Sequence, residues 1–204
     1  MNPWEIIDLD DYEKHMSYEG IQQMQTLNSM MQKQLSHDAY KIIMVLGVAG
    51  GNGLEHIKPE KINTVYGVDI NSEYLKECAM RFPTLGKCLK TICCDISDDE
   101  IELPEAEELV ADLFIEYVGY EHFKKAVQVV KPKLVSCIIQ VNVDESFVSD
   151  SPFIHVFDHL DEVHYEIDGK QLEAHMKEIG YQLCEQEICE LPNKKQLVRI
   201  DFIK

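Results

Sequence analysis

Hydrophobic and polar positions along this chain fall into two alternating rhythms. Over residues 18–35, apolar side chains recur at Ile21, Met24, Leu27, Met31 and Leu35. Steps of three and four mark one face of a helix, with Ser17 placed as its N-cap and Glu19 in its first turn. From Lys41 the pattern changes to short apolar runs. Lys41 to Leu46, Thr64 to Asp69, Thr91 to Asp95, Ala111 to Ile115 and Leu134 to Val141 each predict a strand. Helical stretches separate them: a short one ending before Pro59, one opened by Ser72 and stopped at Pro83, and one over His122 to Val130. Continuously apolar strands alternating with helices predict a parallel sheet buried on both faces.

The end of the chain breaks that alternation. A helix from Lys170 to Ile179 stops at Gly180, and two strand-like runs, Tyr181 to Leu191 and Gln196 to Ile203, flank the turn Pro192-Asn193-Lys194. The predicted fold is therefore α/β, with helices on both sheet faces and a closing antiparallel hairpin. Residues 142–168 fit neither rhythm. They hold several aromatics, three histidines and many acids, and read as an insertion at the ligand edge of the sheet.

Composition narrows the partners. The 204 residues suit one domain with a sizeable core, and 45% hydrophobic with 27% charged residues is ordinary for a globular protein. A formal net charge of -18 is not ordinary. It opposes long-range attraction to nucleic acid or to an anionic membrane. Seven cysteines, with no C-x-x-C pair and several inside apolar runs, read as reduced thiols in a reducing compartment. The acidic opening MNPWEIIDLDDYEK is unlike a signal peptide, and no segment approaches the roughly 18 apolar residues of a membrane span. The expectation is a cytoplasmic protein.

Candidate chemistry begins at Val45-Leu-Gly-Val-Ala-Gly-Gly-Asn-Gly53, which puts four glycines in seven residues after the first strand. Ligands of open α/β sheets bind beyond the carboxyl ends of the strands. Bare backbone there serves either tight packing or close approach to a ligand. Asp69 ends the second strand, where a carboxylate can accept both hydroxyls of a ribose. Asp95 ends the third, where it can accept from an exocyclic amine while the Ile96 amide meets a ring nitrogen. Three strand ends thus describe a nucleoside-shaped slot. The loop has no Gly-Lys-Ser/Thr of a phosphate-binding loop and fits the dinucleotide fingerprint poorly.

With these residues in place, positions 41–204 resemble a class I S-adenosylmethionine-dependent methyltransferase. Leu46–Gly53 is similar to the family's first motif, Gly67-Val-Asp-Ile70 to the second, Cys94-Asp95-Ile96 to the third, and Val130-Lys-Pro132 to the turn before the fifth strand. The closing hairpin matches the family's last two strands. The resemblance implies a seven-stranded, mostly parallel Rossmann-like sheet in the order 3-2-1-4-5-7-6, with the seventh strand antiparallel. It implies S-adenosylmethionine as cofactor, held by Gly47, Val48, Ala49, Gly51, Gly53, Asp69, Ile70, Asp95, Ile96 and Glu116. The chain departs from the pattern at Val45, where the family usually carries an acid that helps hold the cofactor's amino group. The carbonyl of Gly47 or a group such as Glu116 is then left for that role.

The acceptor is harder to read, because positioning and desolvation are most of what the protein supplies in methyl transfer. Residues 116–120, Glu-Tyr-Val-Gly-Tyr, lack the Asn/Asp-Pro-Pro-aromatic signature of nucleic-acid amino methylation, and no Pro-Cys pair exists. A small-molecule acceptor is expected. Glu116 and Tyr120 are the candidate catalytic groups, with Glu116 equally suited to the cofactor. Tyr12, His15 and His155 are candidate substrate contacts. Residues 1–40 are read as an N-terminal helical lid on the single domain 41–204. His155 and His159 are four apart, but the region reads as a solvated amphipathic segment, so no metal is expected. A non-catalytic binding or interaction protein on the same fold is the alternative function.

Overall fold

The computed structural model describes residues 2–36, 38–142 and 147–204. Seven strands form one sheet: β1 Ile42–Leu46, β2 Thr64–Asp69, β3 Leu89–Cys93, β4 Glu108–Asp112, β5 Leu134–Val141, β6 Gln182–Glu190 and β7 Gln196–Ile203. Their order is β3-β2-β1-β4-β5-β7-β6, and β7 alone runs antiparallel to its neighbours. The order and the closing hairpin are those the sequence implied.

Alternate residues of the central strands point into two cores. Met44, Leu46, Leu109 and Ala111 meet α4 (Ile115–Val130) and α5 (Gly169–Glu178) through Phe123, Ala126, Val127, Leu172 and Met176. Ile43, Val45 and Val110 face α2 (Gln23–Leu35) and α3 (Ser72–Arg81) through Leu27, Met30, Met31, Leu35, Leu75 and Cys78. Burying apolar surface on both faces at about 25 cal/mol per Å² is the main force holding these layers together. A third, smaller cluster at the carboxyl edge joins Ile7 to Phe157 and Leu160, with Trp4, Tyr12 and Tyr117 packed against it.

Several predicted boundaries move. The expected helix over 18–35 is shorter, α2 alone, and an unexpected helix, α1 Leu9–Ser17, precedes it, with Gln22 in the left-handed region between them. Ser17 is the last residue of α1 rather than a cap, and its hydroxyl donates back to the Glu13 carbonyl. Asp8 caps α1 by accepting from the Asp10 and Asp11 amides. The stretch before Pro59 is only a 3-10 turn, Leu54–His56. β3 and β4 each begin and end a little earlier than expected. α4 starts at Ile115, well before His122, because a break at Gly119 (φ 71°, ψ 172°) joins two helical pieces.

Candidate active site

The carboxyl ends of β3, β2, β1 and β4 lie side by side, and each delivers one residue to a single crevice. Asp95 follows β3, Asp69 ends β2, Gly47 follows β1 and Asp112 ends β4. Register fixes this row: Asp69 pairs with Cys93, Leu46 with Val68, and Leu46 with Ala111. A narrow slot of about 70 Å³ runs along it, lined by Gly47, Ala49, Asp69, Ile70, Asp95, Ile96 and Asp112 below and by Asn2, Trp4, Tyr12 and Tyr74 above.

The glycine loop divides its work. Gly47 sits at φ 67° with Phe114 packed so closely that a Cβ would lie 2.6 Å from the ring. Gly47 and Ala49 line the slot. Gly51, at φ 93°, turns toward α3, where a Cβ would lie 2.4 Å from Phe82. Gly53 packs on Met31, and Val48 is buried against Gly67. These three bring α2 and α3 onto the sheet and lie outside the slot lining. Each of the loop's glycines makes room for a neighbouring side chain, and Gly47 does so at the edge of the slot.

Asp69 is 7% exposed. Its Oδ2 accepts from the Ala49 amide and its Oδ1 from the Asn71 amide, both at 2.9 Å. Burial pushes this carboxyl above its ordinary value, against the pull of those amides and that of Ile70. Each oxygen retains a second lone pair. Asp95 Oδ1 accepts from the Ser97 amide at 2.8 Å, and Ile96 is buried beside it.

A larger cavity of about 330 Å³ adjoins the slot and shares Trp4, Tyr12, Leu113 and Tyr117 with it. Its remaining wall comes from Glu116, Gln140, His15 and the segment 147–169. Among the described residues its lining holds the carboxyls of Glu116, Glu166 and Asp168 and no lysine or arginine. Glu116 is buried; its Oε1 accepts from the Gln140 amide at 2.8 Å, while Oε2 has no partner. Burial raises its pKa to about 7. The break at Gly119 also frees the Glu116 carbonyl from the helix ladder, and the Tyr165 amide donates to it at 2.6 Å.

Other candidates take distinct places. Tyr12 lines both cavities, and burial beside Asp69 raises its phenol pKa. His15 is buried, bonds Ser151 Oγ through Nδ1 at 2.7 Å, and is held to about 4 by burial and by nearby Lys195, so it is neutral at pH 7. Tyr120 lies outside both linings: its hydroxyl pairs with the Asp168 main chain and its ring stacks on His175 at 4.7 Å. His155 is exposed on the outer side of the 3-10 turn Ile154–Phe157. Sequence reasoning missed Asp112 and Trp4. Asp112 Oδ2 and Trp4 Nε1 are both buried without a partner, and both residues line the slot.

Residues Pro3–Glu5 and α1 roof the slot. The Trp4 carbonyl accepts from Asn71 Nδ2 at 2.9 Å and the Ile7 carbonyl from the Tyr74 hydroxyl at 2.8 Å. The Trp4 ring packs edge-on to Tyr117 at 4.8 Å and to Tyr12 at 5.6 Å.

No protein-family model and no curated protein matches this sequence. Solved structures do. A magnesium protoporphyrin IX methyltransferase (ChlM) from Synechocystis PCC 6803 with bound SAH aligns with a TM-score of 0.69 at 9% identity, over 98% of this chain and 96% of that one. A putative S-adenosylmethionine-dependent methyltransferase from Listeria monocytogenes aligns at 0.62 and 15% identity, covering 88% and 99%. The [4+2]-cyclase SpnF aligns at 0.65 and 9% identity, covering 88% and 80%. The chain therefore has the fold of the class I S-adenosylmethionine-dependent methyltransferases.

Proposed function

We propose that this protein is an S-adenosylmethionine-dependent methyltransferase acting on a small molecule. The observation that carries the reading is the row of strand ends: Asp95, Asp69 and Gly47 face one slot, and that slot opens into a separate cavity. The residues present suit the cofactor. Asp69 has lone pairs for a ribose diol, Asp95 and the Ile96 amide suit an adenine edge, and Gly47 with Phe114 packed on it lines the slot between β2 and β4. Bound there, S-adenosylmethionine would supply a methyl group activated by its sulfonium.

The larger cavity is the acceptor side. Its volume of about 330 Å³ lies at the lower end of small-molecule sites. With carboxyls and neutral histidines and no lysine or arginine among the described residues of its lining, it suits a neutral or cationic acceptor better than an anionic one. Glu116 lines that cavity, and its unpaired Oε2 can take a proton near neutral pH. The slot holds only a few waters' worth of space, so residues 2–17 must lift for a nucleoside to enter. Those residues are the lid; α2 belongs to the core.

The neighbouring [4+2]-cyclase favours a second reading, since it places an activity other than methyl transfer on this architecture. Two measurements separate the readings. Thermal shift with S-adenosylhomocysteine, beside NAD and NADP, tests the slot; a ligand at 100 times its dissociation constant stabilises by about 2.7 kcal/mol. A shift with NAD alone refutes the proposal. Incubation with labelled methyl donor and a metabolite panel tests the transfer; tight binding without any labelled product supports the second reading, a role other than methyl transfer on this fold.

A further inference from the structure

Val45 puts an apolar side chain where the resembling family carries an acid, and that side chain is buried in the core on the α2 face of the sheet. Val45 pairs with Val110 of β4, and Asp112 lies two residues beyond Val110 on the same face. A carboxyl is therefore present one strand over and nearer the crevice. Its surroundings hold it still. Gln34 Nε2, from α2, donates to Asp112 Oδ1 and to Ser136 Oγ, each at 2.9 Å. Ser136 Oγ donates to Asp201 Oδ1 at 2.5 Å, and Arg199 lies beside the other Asp201 oxygen. This chain fixes one oxygen of Asp112 from below. Oδ2 is left buried and without a partner, in a residue that lines the slot beside Gly47 and Tyr12.

We propose that Asp112 replaces the missing acid and that its Oδ2 accepts from the ammonium group on the amino-acid end of the cofactor. This rests on the cofactor reading above and adds which residue grips which end. Three observations converge on it. With adenine at β3 and ribose at β2, the rest of the ligand runs past Gly47 toward β4, where Asp112 stands. An orphaned buried carboxyl oxygen needs a donor, and an ammonium offers a charge-assisted one. Asp112 lines the slot but not the larger cavity, whereas Glu116 lines the larger cavity but not the slot. On this assignment Glu116 is left for the acceptor.

The test is calorimetric titration of wild type and Asp112→Asn with two probes: S-adenosylhomocysteine, and 5′-methylthioadenosine, which lacks the amino-acid end. The substitution should weaken S-adenosylhomocysteine about 10- to 100-fold and leave 5′-methylthioadenosine within about 2-fold. Equal losses for both probes, or no loss for either, overturns the assignment. Wild type that binds neither probe overturns the cofactor reading with it. A second measurement needs no variant. Titrations of wild type at pH 7 in buffers of differing ionisation enthalpy should show proton release with S-adenosylhomocysteine and none with 5′-methylthioadenosine, because only a neighbouring ammonium stabilises the Asp112 carboxylate enough for its proton to pass to the buffer. Identical proton counts for the two probes count against the proposal.

Discussion

Asp112→Asn should gain stability relative to wild type in the empty protein as pH rises from acid to neutral. Burial raises the Asp112 pKa from 3.8 to about 8; Asp201 and Glu116 add to the rise, and Gln34 and the Ile138 main chain oppose it. At pH 7 the carboxyl is thus protonated in the folded chain but ionised in the unfolded one. A raised acid destabilises the fold progressively. The penalty is absent below about pH 4, grows by about 1.4 kcal/mol per pH unit, and levels off above about pH 8. It reaches about 4 kcal/mol at pH 7 as a ceiling, because the residue is only partly buried and crevice water reaches some of it. Asparagine escapes that penalty but leaves an amide donor unpaired, which costs about 1–3 kcal/mol. The offset does not change with pH, so it cancels between conditions. The stability difference between variant and wild type should rise by about 1.5–3 kcal/mol from pH 5 to pH 7. Urea denaturation of both ligand-free proteins at pH 5, 6 and 7 reads this directly. A difference that stays constant within about 0.5 kcal/mol would show that Asp112 is ionised in the fold, and the reasoning from its orphaned oxygen would fail.

Three further outcomes follow from the same geometry. Asp69→Ala should weaken S-adenosylhomocysteine by about 1.5–3 kcal/mol, about 10- to 150-fold by calorimetry; unchanged affinity would remove Asp69 from the ribose. Gly51→Ala meets both a positive φ and the Phe82 ring, so chemical denaturation should show a loss of about 2–3 kcal/mol, and a neutral result would show that the loop can shift away from α3. Tyr74→Phe removes the hydroxyl that holds the Ile7 carbonyl, and hydrogen exchange at residues 4–7 should speed up about 2- to 10-fold with β1 and β4 amides unchanged.

The sheet was legible because buried parallel strands write themselves as continuous apolar runs, and Asp69 and Asp95 stood out as acids just past two such runs. Asp112 did not, for a local reason. Glu108 opens β4 while fully buried, so a charged residue disguised the strand's start and shifted its apparent span toward Ile115. That shift placed Asp112 inside the strand instead of at its end. α1 was missed because only His15 and Met16 of its nine residues are buried, too few to set a period. Its signal was the cap, Asp8 followed by Asp10 and Asp11. The positions of Tyr120 and His155 outside the crevice depend on the turn of α4 at Gly119 and on the path of residues 147–168, both tertiary outcomes that residue spacing does not carry. The same holds for Gly51 and Gly53, whose partners Phe82 and Met31 are distant in sequence.

Two acids with orphaned oxygens, Asp112 and Glu116, stand on opposite sides of the line where slot and cavity meet, and burial raises both pKa values. In a protein selected for its fold alone, uncharged side chains of similar volume would remove both penalties. Trp4 Nε1 adds an unpaired donor at the shared wall. Among the described residues, three buried groups without a partner thus lie where a bound adenosyl ligand and an acceptor would meet. Groups left unsatisfied in the empty state become favourable contacts when a bound molecule displaces the water beside them.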